Sequence, residues 1–175
     1  IRPRDWSSDV CSSDLVSPMP NWVILAGYVA GAVLRGLMVG GIVLCIAMLF
    51  TRVHVPHPLV TISSVLLGAT IFSLAGFVNA VYAKKFDDIA IVPTFILTPL
   101  TYLGGVFYSI SLLPGWAQAA THANPIFYMV NAFRYGLLGV SDVPLWVAYA
   151  LMLGFVLALG ALALRLLDKG VGLRS

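Results

Sequence analysis

Few residues in this chain have chemistry to offer: three histidines, one arginine inside an apolar run, and a set of prolines. His54 and His57 stand three apart, and His122 lies far along the chain. A metal site needs further ligands, and in a chain without Glu only Asp142 is placed to add one from that side. The pattern reads as histidines in loops at a membrane interface, and no metal or cofactor is expected. No His-Glu-x-x-His, no Gly-x-Ser-x-Gly and no pair of acids inside an apolar run is present, so a membrane hydrolase has no visible machinery. A Gly-rich loop ending in Gly-Lys-Ser/Thr is also missing, so the chain has no motif for binding ATP and is not expected to be an enzyme. Arg35 interrupts an otherwise apolar stretch and reads as a side chain snorkelling to the inner headgroups; the alternative is a charge facing a substrate.

The elements that carry these residues are membrane spans. Of 175 residues, 60% are hydrophobic and 10% charged, where a soluble domain carries about a quarter charged residues. So few charges could not cover a surface facing water, and disorder needs the opposite composition. The net charge of +3 sits at loop ends, where it sets topology and is not a nucleic-acid footprint. Apolar blocks at 22–50, 59–83, 89–110 and 145–167 are each long enough to cross about 30 Å of hydrocarbon. Coupled carriers commonly keep acidic groups near the bilayer midplane, and these blocks contain none. Transport through such a bundle is therefore either passive or driven from outside it.

Residues 1–15 differ from the rest, with three of the seven Asp and no apolar run. They are expected to be a non-native leader, residues 16–175 forming one membrane domain and the C-terminal part of a longer protein. Gly27-x-x-x-Gly31 and Gly36-x-x-x-Gly40 are spaced for close helix contact, expected as ordinary packing within one subunit. Pro93 and Pro99, with the Gly104–Gly105 pair, predict a kinked third span. Asn124 followed by Pro125 predicts a helix over 125–139, because Asn caps free amides and Pro at the first position gives up no bond. A short helix near 116–121 is expected before it.

Charge decides whether the 125–139 helix crosses. If it does not, the Lys84–Lys85 loop and the C-terminal end share one side with five basic residues, against Arg52 and Arg134 on the other. If it does, the bias reverses to two against four, and Arg134 sits inside the bilayer at a cost of about 2.5–3.5 kcal/mol. The expectation is an all-α membrane protein of four transmembrane helices with an outer re-entrant helical hairpin over 111–144, both ends of the domain lying in the cytoplasm.

The run Leu97, Leu100, Leu103, Gly104, Val106, Leu113–Pro114, Pro125–Ile126, Tyr128 and Arg134 resembles the signature of the ABC-2-type exporter permeases. Residues 16–22 look like the segment ahead of the third transmembrane helix in that family. Phe86–Asp88 and residues 136–144 look similar to its drug- and polysaccharide-exporter branch. The resemblance implies the last four helices of a six-helix permease in a bacterial inner membrane. Such a permease is embedded in lipid and works as a homodimer with two copies of a cytoplasmic ATPase subunit. It implies coupling to that ATPase through Val16, Ser17, Pro18, Met19, Pro20 and Asn21, with Lys84 and Lys85 as a second contact. It also implies a translocation path and outer gate at Pro93, Pro99, Gly104, Gly105, Pro114, Pro125, Tyr128 and Arg134. A passive channel, a secondary transporter and a non-transporting scaffold are the competing readings.

Overall fold

A computed structural model describes residues 20–50, 55–83, 86–105, 115, 121–122 and 124–169. Among them the chain is helical, with no strand. The elements are α1 (Asn21–Phe50), α2 (Pro58–Tyr82), then α3 (Phe86–Ile91), a π-helical turn π1 (Val92–Leu97) and α4 (Thr98–Leu103) in unbroken succession, followed by α5 (Pro125–Leu138) and α6 (Leu145–Asp168). Three of these, α1, α2 and α6, are long and apolar enough to cross a membrane; Ile89–Leu103 is a shorter apolar run. The third expected span thus ends its helix at Leu103, where Gly104 and Gly105 turn the chain. Most of the expected 116–121 helix, the tip of the hairpin and the leader lie outside the described residues.

Local chemistry sets the helix ends. Pro58 opens α2, where its missing amide hydrogen is not needed. The Asn124 side chain accepts a hydrogen bond from the Ile126 amide, and Pro125 follows as the first residue of α5. At the far end Gly139 adopts φ 72°, a left-handed cap that glycine takes without steric cost, and its amide returns to Tyr135 O. The helix expected over 125–139 is therefore present with its predicted start signal, and the structure adds the glycine cap at its end.

Two small cores join the long helices. Ile71 of α2, Met129 and Ala132 of α5, and Ala148 and Met152 of α6 form one. Leu25 of α1, Leu74 of α2 and Ala163 of α6 form the other. The contacts also fix directions. Tyr149, near the start of α6, reaches Ser63 and Val60 near the start of α2, so these two helices run parallel. Asn21, at the start of α1, donates to Asp168 at the end of α6, so those two run antiparallel. A hairpin that crossed the membrane would have made α2 and α6 antiparallel. The ends of α2 and α6 therefore share one face, as the charge count required, and Arg165 and Lys169 mark it as cytoplasmic.

The glycine repeats of α1 do not pack as expected. A Cβ added at Gly27, Gly31, Gly36 or Gly40 would meet nothing within 4 Å. The N-terminal part of α1 provides its core contact, while Leu34, Met38, Ile42 and Val43 are exposed. Arg35 lies midway along the helix, exposed and without an ion pair among the described residues.

Candidate functional site: a re-entrant helix beside a π-turned span

Helix α5 lies antiparallel against the outer half of α2 in a fixed register. Gly136 sits on Thr61, and Met129 Sδ lies opposite Gly68. The approach at Gly136 is so close that an added Cβ would collide with Thr61 Oγ1 and stand 2.8 Å from its amide nitrogen. Backbone contact continues where the His57 amide donates to Gly136 O at 3.2 Å and the His57 ring stacks on Tyr135 with centroids 5.0 Å apart. Counting down α2 from Pro58, Gly68 is about 15 Å below the outer end, and α5 begins about one turn deeper. A 14-residue helix is about 21 Å long, too short to cross about 30 Å of hydrocarbon. So α5 starts near mid-bilayer and climbs to the outer face, the geometry of a re-entrant helix. Backbone that begins at that depth needs protein around it, and Asn124 (5% exposed) and Phe127 (1% exposed) are enclosed accordingly.

The expected gate residues fall in three places. At the foot of α5, Gly104 lies under Ile126, whose Cγ2 would be 3.1 Å from an added Cβ, and Gly105 turns the chain with φ 73°. Pro125 starts the helix there, and the Tyr128 hydroxyl donates to His122 O at 2.8 Å, tying the first turn of α5 to the chain just before it. Asn124 is the joint: while its Oδ1 caps α5, its Nδ2 donates to Leu100 O at 2.6 Å. That carbonyl is free because the Gly104 amide, its partner in an α-helix, bonds Thr101 O instead.

At the head of α5, Arg134 pairs with Asp142 from the turn before α6. Asn131, 2% exposed, organises the pair: its Oδ1 accepts from the Asp142 amide at 3.0 Å and from Arg134 Nη2 at 3.4 Å, and its Nδ2 donates to Phe127 O. The ion pair stands at the outer end, so Arg134 avoids the cost of a charge at mid-bilayer. Beside it Tyr135 and residues 139–145 line a shallow open depression.

The third place is π1. Pro93 lies in this widened turn, and Pro99 follows it in the first turn of α4. The Thr98 amide and hydroxyl both return to Pro93 O, five residues back. An α-helix would drive the Pro99 ring into the carbonyl of Phe95, and the π register relieves that conflict. Pro93 has no hydrogen to give Ile89 O, and that carbonyl accepts from Asn79 Nδ2 of α2 at 3.0 Å. No residue of π1 is buried.

Of the expected coupling residues, Pro20 is exposed ahead of α1, and Asn21 opens the helix with its side chain bonded to Asp168. Val16, Ser17, Pro18, Met19, Lys84 and Lys85 lie outside the described residues, as does Pro114 of the expected gate. Sequence reasoning missed Asn131 and Asp142 as partners of Arg134, and Asn79 as the donor to the Ile89 carbonyl that Pro93 leaves free. Only the polar character of Asn79 and Asn131 inside apolar helices could have drawn attention to them. Among the described residues no group of three His, Cys, Asp or Glu could hold a metal.

These are the features of an all-helical membrane domain with a re-entrant outer helix. The ABC-2 type transporter family model matches residues 7–138, and the chain belongs to that family. It is 50% identical over 161 residues to "Inner membrane transport permease YadH" of Escherichia coli (strain K12), covering 92% of this chain and 63% of that protein. The Shigella flexneri protein of the same name matches to the same extent. "Nodulation protein J" of Sinorhizobium fredii (strain NBRC 101917 / NGR234) is 25% identical over 171 residues, covering 94% of this chain and 63% of its own length. The chain thus spans less than two thirds of the relatives it matches. No solved structure matches it.

Proposed function

We propose that the chain is part of the membrane-spanning permease of an ATP-driven exporter in a bacterial inner membrane, worked by a separate ATPase at its cytoplasmic face. Membership of the ABC-2 type family carries the reading. Two physical features support it. The long spans contain no carboxylate before Asp168 at the very end of α6, so none near mid-bilayer to serve a proton or sodium cycle, and this sequence contains no motif for ATP. The free energy for transport must then enter through a partner, as differential binding between two states of the assembly.

In this reading two ATPase copies close on ATP and push on the segment that ends at Asn21, with Lys84 and Lys85 as a second contact. Because Asn21 is bonded to Asp168, a push there is shared between α1 and α6. The run from α3 to α4 flanks the path, and α5 with the Arg134–Asp142 turn roofs its outer end, in a homodimer surrounded by lipid. The segment 16–175 is one permease domain in this reading, although the family match begins at residue 7, inside the stretch read as a leader.

The test is co-purification. The full-length permease should retain its ATPase in detergent, and alanine replacement of residues 16–20 should release the ATPase while membrane insertion stays intact. Retention of the ATPase after that replacement would remove the assigned coupling segment. A full-length permease that transports without any ATPase would replace the exporter reading with a passive or secondary one.

A further inference from the structure

We propose that Asn79 and Asn124 are positioning residues that hold the path-flanking run at two points, one on each side of π1, leaving the π turn between them as the segment that moves. The proposal rests on the exporter reading for the use of that motion, but the two latches stand on hydrogen bonds alone.

Both asparagines donate to a backbone carbonyl that the run's own ladder leaves free. Ile89 O lacks its donor because residue 93 is proline, and Asn79 Nδ2 supplies one from α2. Leu100 O lacks its donor because the Gly104 amide turns to Thr101 O, and Asn124 Nδ2 supplies one from the cap of α5. In lipid a free carbonyl has no water to turn to, so such a donor fixes the neighbouring element in place. Between the two latches the run buries no residue. Phe95 and Ile96 are 73% and 50% exposed. The ladder there already departs from α geometry, in the kind of π turn that is frequent at functional sites. Asn124 serves two elements with one side chain, so a movement of α5 is passed to Leu100 without an intermediate.

The two functions of Asn124 separate by substitution. Asn124→Ser keeps an oxygen to cap α5 and loses the Nδ2 amide that donates to Leu100 O; Asn124→Ala loses both. Asn79→Ala frees Ile89 O, and Pro93→Ala returns an amide hydrogen to the same carbonyl, so the double variant should be rescued. If Asn79 only closed the turn between α2 and α3, Pro93→Ala would restore nothing.

Amide hydrogen exchange of the full-length permease in nanodiscs, first without nucleotide, reads these outcomes by mass spectrometry. Asn124→Ser should speed exchange across 98–104 roughly threefold to tenfold, the factor one interhelical hydrogen bond supports in lipid, with the start of α5 still protected. Asn79→Ala should do the same across 89–97, and the Asn79→Ala/Pro93→Ala double variant should return toward the parent. Unchanged exchange in Asn124→Ser, or no rescue by Pro93→Ala, overturns the proposal. Should Asn79→Ala fail to fold, the Asn124→Ser result decides alone. With the ATPase bound, ATP should alter exchange across 92–97 in the parent. If the nucleotide-free results hold and ATP changes nothing across 92–97, the latches stand but the π turn is not the moving segment. Transport by the full-length permease without any ATPase would overturn the exporter reading instead.

Discussion

Arg134 and Asp142 close an ion pair across the turn between α5 and α6, and Asn131 holds both partners from below. The pair fastens the head of the re-entrant helix to the start of a full span. Its side chains are 23% and 30% exposed, so water screens it only in part. A double-mutant cycle with Arg134→Gln and Asp142→Asn, read by unfolding in mixed micelles, should give a coupling of about 1 kcal/mol that shrinks with added salt. Asn131→Ala should cost more than either single change, about 1–3 kcal/mol, because it strips hydrogen bonds from buried groups. Equal effects at all three positions would mean that Asn131 does not organise the pair.

Gly136→Ala should be among the most damaging small substitutions in the chain. The new methyl would collide with the backbone of Thr61, which cannot rotate away as a side chain can. Separation of α5 from α2, or a loss of about 1–3 kcal/mol or more in thermal stability, is expected. Alanine at Gly27, Gly31, Gly36 or Gly40 meets open space and should leave the fold of this chain intact or slightly firmer. If an alanine on α1 disrupts the assembled transporter without affecting this domain, that glycine contacts another segment.

The hydroxyl of Tyr149 lies 2.5 Å from Ser63 Oγ and also donates to Val60 O, pinning the outer ends of α2 and α6 together. Tyr149→Phe should lower stability by about 0.6–1.7 kcal/mol, the range for polar contacts between membrane helices. Ser63→Ala should cost less, because the tyrosine keeps its carbonyl partner. A larger loss from Ser63→Ala would reverse that ranking.

Topology is open to a labelling measurement. In a variant whose Cys11 and Cys45 are both replaced by Ala, a cysteine at Val140 should react with an impermeant maleimide from outside, since Val140 is exposed beyond the head of α5. A cysteine at Lys169, beyond the end of α6, should react only after the membrane is opened. The opposite pattern would invert the arrangement.

The spans and the helix α5 were legible in the sequence for a physical reason: both follow from interactions that are local or with solvent. A 20-residue apolar run is a statement about transfer into hydrocarbon, and Asn124, Pro125 and Gly139 act within a turn of their own backbone. The re-entrant topology was legible through the distribution of seven basic residues, five on one side and two on the other. The glycines were read less well. The repeats in α1 have the spacing of a contact and meet nothing within the chain, whereas the isolated Gly136 makes the closest helix approach.

What the sequence by itself determined is therefore the placement and direction of the apolar segments and the position of the re-entrant helix. Tertiary structure alone decided how the irregular backbone is satisfied. Pro93 ensures that Ile89 O is left without its helical donor, but only the placement of α2 makes Asn79 the group that answers it. Arg134 announces a charge that needs a partner, but only the turn after α5 brings Asp142 to it. Composition and periodicity register which groups go unpaired along a chain, while the identity of each remote partner depends on how whole helices pack in register against one another.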